Sequence, residues 1–278
     1  MPVIGLTLVR DEALILHETL DHFGALCGGG LYVLDDCSDD GTFDLARAHP
    51  AVRRCLRNDY HDPNWAVAQT AHRQRIFDVA ARDARAGDWF LYFDADERVE
   101  YDPARLAELP GAVTCVFMRL FDFYITPQDR DRPYAGSLPA LRDWCGPEYR
   151  PILFLFRHQP GRRWLWRRSR MPEVDPAGDR AVLAGDVRHY GKSISPAHWE
   201  RTCDFYVRHR PDFAAKWAAR RGQAVHERSD FGRPLIRWDE RGARGVIEPD
   251  VARSLAAVPW LEPQPAFETA AGADAGAG

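Results

Sequence analysis

Between Val3 and Tyr92, short apolar runs rich in branched side chains alternate with longer segments whose apolar residues recur at helical spacing. That alternation narrows the available folds more than any other feature of the chain. VIGLTLV (Val3 to Val9) precedes EALILHETLDHFGALC, in which Leu16, Leu20, Phe23 and Cys27 share a helical face, and Gly28, Gly29 and Gly30 stop the helix. LYVLDD, GTFDLARAH, AVRRCL and WAVAQTAHRQRIFDVAARDARAG then read as strand, helix, strand and a long helix closed by Gly87. WFLYFDADERVE (Trp89 to Glu100) reads as the fourth strand. Strands that alternate with helices form right-handed βαβ units, hence an α/β fold with a mainly parallel sheet flanked by helices. Ligands of such sheets gather beyond the carboxyl ends of the strands.

Past Asp102 the pattern changes. VTCVFMRLFDFY and PILFLFRH read as further strands, separated by a loop from Thr126 to Pro151 that is long enough for a flap or an acceptor-site loop. Ser195 to Arg221 is helical, with Trp199, Cys203, Tyr206 and Val207 on one stripe, and the tail ETAAGADAGAG has nothing to bury and is expected to be disordered. The expected parts are 1–105, 106–222 and a C-terminal extension over 223–278. A formal charge of -4, with no basic face interleaved with aromatics, excludes a nucleic-acid partner. Six scattered cysteines without a C-x-x-C pair argue against a structural metal and for a reduced, cytoplasmic protein. No apolar run approaches a membrane span, and peripheral contact at the inner membrane face is left open. GRRWLWRRSR (Gly161 to Arg170) reads as a half-buried strand before it reads as a surface for an anionic or lipid-linked acceptor.

Two acidic clusters end strands. In VLDDCSDDGT, turn and helix-cap chemistry accounts for Asp39, Asp40 and Thr42 but not for Asp35. In FDADE, an extended chain turns Asp94 and Asp96 to one side, since side-chain direction repeats every second residue. Carboxylates that close repel unless a cation lies between them. Mg²⁺ or Mn²⁺ suits such ligands and completes its shell with water and substrate phosphates.

LYVLDDCSDDGT, followed about fifty residues later by WFLYFDADE, resembles the family 2 glycosyltransferases, with their V-V-D-D-x-S-x-D-x-T segment after the second strand and D-x-D after the fourth. LTLVRDEALIL is similar to that family's strand plus N-E-E, with Asp11 in place of the usual Asn. The resemblance spans roughly residues 3 to 100. It implies a GT-A-type, Rossmann-like domain with a mixed sheet and helical acceptor part, and inverting transfer of a sugar from a UDP-, GDP- or dTDP-sugar to a sugar, glycan or glycolipid acceptor. Carried over, Asp35 or Asp36 would contact the base or ribose, Asp94 the ribose and donor sugar, and Asp96 would be the principal metal ligand. AHRQRIFDVA makes Arg73 a donor contact, with Gln74 where the family has Asn. DVRHYGKS resembles a late His-Tyr-Gly segment of related bacterial transferases, which puts His189 at the metal or diphosphate and Lys192 beside the diphosphate. The general base that inversion requires is expected at Glu173, with Glu148 and Asp143 as competitors. A haloacid-dehalogenase-like phosphatase also uses D-x-D, but on the first strand of its domain, whereas here it follows the fourth. A sugar-nucleotide-binding protein without turnover is the non-enzymatic alternative.

Overall fold

Both faces of the central strands are apolar, so each face needs its own layer of helix. In the computed structural model, which describes residues 2–62, 65–164, 180–241, 245–249 and 261–263, those layers are present. β1 (Val3–Val9), α1 (Ala13–Leu26), β2 (Leu31–Asp35), α2 (Thr42–Ala48), β3 (Val52–Arg57), α3 (Trp65–Ala81) and β4 (Trp89–Tyr92) follow one another, and their four strands are parallel. Val3 and Val9 point into a core with Leu16, Leu20 and Phe23 of α1, while Ile4 and Leu6 point into a second core with Ile76 and Phe77 of α3. Each such side chain taken from water stabilises the fold by about 1.5–3 kcal/mol.

The second half completes the same sheet. β5 (Glu97–Glu100), β6 (Cys115–Asp122), α4 (Leu138–Leu141), β7 (Trp144–Cys145), β8 (Glu148–Arg157) and β9 (Ala181–His189) lead to α5 (Pro196–His209) and α6 (Ala214–Ala218). The strand order is β12-β9-β6-β8-β4-β1-β2-β3, where β12 is Leu261–Pro263. β8 runs antiparallel to β4 and β6, whereas β6, β9 and β12 run parallel to one another, so the sheet is mainly parallel as expected. β10 (Ile236–Arg237) pairs with β7 and β11 (Val246–Ile247) with β8, so residues expected in a C-terminal extension return to the body of the molecule. The tail beyond residue 263 lies outside the described residues.

Two local expectations change. The helix read as reaching Gly87 stops at Ala81, where the Asp88 carboxylate accepts the Arg85 N–H at 2.8 Å and holds a turn. WFLYFDADERVE is not one strand: β4 ends at Tyr92 and β5 resumes at Glu97, antiparallel to β9. The break has a packing cause. Phe93 stacks on Phe23 with centroids 3.6 Å apart, and Glu97 folds back so that its Oε2 accepts the Asp94 N–H at 2.8 Å. Asp94 and Asp96 therefore sit on a tight turn, and strand alternation is not what brings them together.

Candidate active site

Register brings the acidic ends together. β1 pairs Val9 with Asp35 of β2, and Leu6 with Tyr92 of β4, so β4 stops short of the end of β1 and leaves room for the 93–96 turn. At the start of α1, the N–H groups of Asp11, Glu12 and Ala13 donate to Ser38 Oγ (2.9 Å), Thr42 Oγ1 (2.8 Å) and Asp40 Oδ2 (3.0 Å). Helix starts leave such donors without intrahelical partners. The polar run after β2 thus caps α1 across the sheet, whereas α2 begins after Gly41 with no side-chain cap.

Asp35 is fully buried, accepts the Ser38 N–H at 3.1 Å and faces the Arg57 guanidinium at 3.3 Å, yet its Oδ1 has no hydrogen-bond partner among the described residues. Burial pushes its carboxyl above the usual range against those two favourable contacts. Asp36 is more heavily bonded: Asn58 Nδ2 donates to Oδ1 at 2.7 Å and His61 Nδ1 meets Oδ2 at 2.7 Å.

Opposite these, His189 closes the site. It ends β9, and the sheet register sets it beside Glu97 of β5 on one side and Asp122 of β6 on the other. His189 Nδ1 lies 2.5 Å from Asp122 Oδ1, and Nε2 lies 3.5 Å from Asp96 Oδ2. Burial disfavours the imidazolium, but Asp96 and Asp122 outweigh it and raise His189 to about 10. Asp122 is in turn held by Arg150 at 2.7 Å and Lys192 at 3.0 Å, and although burial opposes its charge, these cations keep its carboxyl well below the usual range.

Asp96, Glu97 and His189 each bring a ligand atom within 4.8 Å of the others, a set of oxygen and nitrogen donors suited to Mn²⁺ or Mg²⁺. Three observations fit a cation there. With Nδ1–H donated to Asp122, His189 directs Nε2 at Asp96, so a cation need only displace the Nε2 proton. A Cβ on Gly191 would fall 2.5 Å from Asp96 Oδ2 and 3.0 Å from His189 Nε2, so only glycine leaves that space open. Finally, burial and then repulsion from Asp96 and Asp94 raise the Glu12 carboxyl well above the usual range, a conflict that a positive charge relieves.

A cavity of about 690 Å³ joins these groups, and Asp36, Asp94, Asp96, His189 and Lys192 line it. Arg73 does not; it is 5% exposed and its Nε donates to the Tyr92 hydroxyl at 3.0 Å, beneath a lining residue. Arg73 is thus a buried side chain behind Tyr92 rather than a solvated one on the face of α3. Asp35 also stands behind the wall, beside Asp36. Glu148 is buried at the start of β8 with Arg233 3.9 Å away, and Asp143 pairs with Arg132 at 3.2 Å; neither lines the cavity. Glu173, and GRRWLWRRSR from residue 165 on, lie outside the described residues.

Sequence reasoning missed Glu12 and His198 as lining residues, and Asp122 as the partner of His189. Burial lowers His198 to about 4, against the pull of Asp96, so it faces the cavity as a neutral ring. The local signal for Glu12 was present, in the acidic pair that follows β1; for Asp122 there was none, since it ends a strand read only as apolar.

A second cluster shares the residue types. His17 and His49 approach Asp21 at 3.1 and 3.2 Å on the outside of α1. There the Ala51 N–H donates to His49 Nδ1 at 3.2 Å, which places the ring proton on Nε2, facing Asp21. That nitrogen has no lone pair for a cation.

No family model matches the chain. Uncharacterized proteins of Mycobacterium tuberculosis and Mycobacterium bovis are each 30% identical to it over 169 residues, which is 59% of this chain and 38% of either relative. The chain thus spans well under half the length of the curated relatives it matches. Among solved structures, residues 1–349 of S. aureus TarS are similar at 14% identity and a TM-score of 0.36, over 56% of this chain and 47% of that one. Mannosyl-3-phosphoglycerate synthase from Rubrobacter xylanophilus is similar at 22% identity and a TM-score of 0.29, over 50% and 44%. Glucosyl-3-phosphoglycerate synthase from Mycobacterium tuberculosis, in complex with Mg²⁺ and uridine diphosphate, is similar at 20% identity and a TM-score of 0.27, over 43% and 44%.

Proposed function

We propose that the protein is a metal-dependent, inverting glycosyltransferase that moves a sugar from a nucleoside-diphosphate donor to an acceptor hydroxyl. One observation carries the reading: the D-x-D turn after β4, the Asp-Asp end of β2 and His189 at the end of β9 meet around one cavity beyond the carboxyl ends of parallel strands. Asp96 and His189 would hold the cation with Asp94 or Glu97, and the cation would supply Lewis-acid neutralisation of a departing diphosphate, worth several kcal/mol. Asp36, backed by Asp35, would orient the base or ribose, with Arg73 supporting Tyr92 from behind. Lys192, held between Asp122 and Asp230 at 3.0 and 2.8 Å, brings positive charge to the same wall.

In the transfer, the acceptor oxygen forms a bond to the anomeric carbon while the bond from that carbon to the diphosphate oxygen breaks, its electron pair leaving with the nucleoside diphosphate. Attack from the face opposite the departing diphosphate inverts the anomeric centre, and the acceptor proton passes to a base on the attacking side. Glu148 and Asp143 do not line the cavity, and this reading keeps Glu173, the base expected from the sequence, in that role. Glu173→Gln should bind donor normally and lose transfer; full activity in that variant removes Glu173 from the role.

The test of the whole is binding of UDP, GDP and dTDP with and without Mn²⁺ or Mg²⁺, read as a shift in melting temperature. Asp96→Ala should lose more than about 100-fold in metal-dependent binding while remaining folded, since a ligand matters more than its supporting partners. Undiminished binding there refutes the metal assignment. Metal-dependent donor hydrolysis by the wild-type protein separates an enzyme from a binding protein without turnover.

A further inference from the structure

The two walls of the cavity differ in charge. The wall built by the ends of β1, β2 and β4 carries Asp11, Glu12, Asp36, Asp94 and Asp96, with Arg10 paired to Asp11 and Asp36 at 3.5 and 3.9 Å. The other is built mainly by α5, α6 and the segment after them. His198, Arg201, Phe205 and Arg208 recur at helical spacing on one face of α5 and line the cavity, while Trp199 and Cys203 are buried on the other face against Ile125 and Ala224.

Six cations stand on this wall: Arg150, Lys192, Arg201, Arg208, Lys216 and Arg220. Asp122 holds Arg150 and Lys192, and Asp230 holds Lys192 and Arg220 at 2.8 Å each. Arg201, Arg208 and Lys216 make no ion pair among the described residues. Asp204, the remaining acid of that wall, is taken by Arg221 at 2.6 Å. Partial burial and then the adjacent Arg220 push the Lys216 ammonium below its usual range, against the pull of Asp230. Beside these groups lies aromatic surface, with Tyr206 stacked on Trp217 at 4.3 Å.

A donor diphosphate would already be met by a cation at Asp96 and His189. Three further cations on the opposite wall are surplus to that charge. Resting on the sugar-transfer reading above, we propose that Arg201, Arg208 and Lys216 form the acceptor subsite and bind an acceptor that carries a phosphate or carboxylate group. Guanidinium and ammonium groups recognise such anions through charge-assisted hydrogen bonds.

The test uses the full chain, wild type and the triple variant Arg201→Gln, Arg208→Gln, Lys216→Gln, whose three positions are solvent-exposed and should leave the melting temperature unchanged. The probes are glycerol 1-phosphate, uncharged glycerol, and phosphatidylcholine vesicles with and without phosphatidylglycerol; UDP with Mn²⁺ is titrated in parallel. The wild type should bind glycerol 1-phosphate but not glycerol, and the triple variant should bind it at least about tenfold more weakly, as the loss of a charge-assisted contact implies. UDP–Mn²⁺ binding should be equal in both. Binding to the anionic vesicles alone, lost in the triple variant, supports the same subsite with a lipid-linked acceptor. Equal binding of the anionic probes by both proteins, or binding of neither probe, overturns the proposal. So does a parallel loss of UDP–Mn²⁺ binding in the triple variant, which would assign the wall to the donor. Absence of UDP–Mn²⁺ binding by the wild type is a different result: it overturns the sugar-transfer reading itself, and the acceptor assignment with it.

Discussion

Two clusters of histidine and carboxylate stand on opposite sides of α1, and their chemistry diverges at a single ring nitrogen. His189 Nδ1 meets a carboxylate, Asp122, whereas His49 Nδ1 meets an amide N–H, from Ala51. A carboxylate can only accept, so Nδ1 of His189 keeps its proton, and the proton that a cation would displace is the one on Nε2, facing Asp96. An amide N–H can only donate, so the His49 proton is forced onto Nε2 and consumed by Asp21. Residue types and separations alone do not make a metal site; the partner of the second nitrogen decides which histidine is free to ligate.

Removing that partner is the strongest way to break the contrast. Asp122→Asn keeps the shape of the side chain but removes the charge that orients His189, and Mn²⁺ affinity measured by calorimetry should fall about 10–100-fold. An unchanged affinity would mean that Asp122 serves Arg150 and Lys192 rather than the imidazole. Gly191→Ala probes the space instead of the tautomer: its Cβ would meet Asp96 Oδ2 at 2.5 Å, and overpacking of about 1–3 kcal/mol should cost metal affinity roughly tenfold. A structure of that variant with Asp96 undisplaced and metal bound would defeat the argument. The smallest effect on metal is expected from His49→Ala, which should leave Mn²⁺ affinity unaltered while destabilising the fold by about 1–3 kcal/mol through the orphaned Ala51 N–H. A second Mn²⁺ equivalent that disappears in this variant would show that the outer cluster binds metal after all.

Much of the first half was legible because its information is local. The apolar runs, the glycine stop after α1 and the acids at the ends of β2 and β4 all follow from neighbours in sequence. The turn at Asp94 and Asp96 was not, because it is imposed by Phe93 packing on Phe23, seventy residues away in the chain. The mixed order of the second half was likewise hidden: nothing in PILFLFRH tells that β8 inserts antiparallel between β4 and β6. Glu148 and Asp143 read as bases because they are carboxylates in a long loop, and only the burial of Glu148 and the pairing of Asp143 with Arg132, both away from the cavity, separate them from it.

By itself the sequence determined that strands alternate with helices and that paired acids end two of the parallel strands, since periodicity and strand-end position are properties of contiguous residues. The tertiary structure decided that Asp96 faces His189, that Asp122 sets the ring, and that α5 turns Arg201 and Arg208 toward the same cavity. Those are contacts between residues tens of positions apart, fixed by sheet register and by helix docking, and no local pattern encodes them.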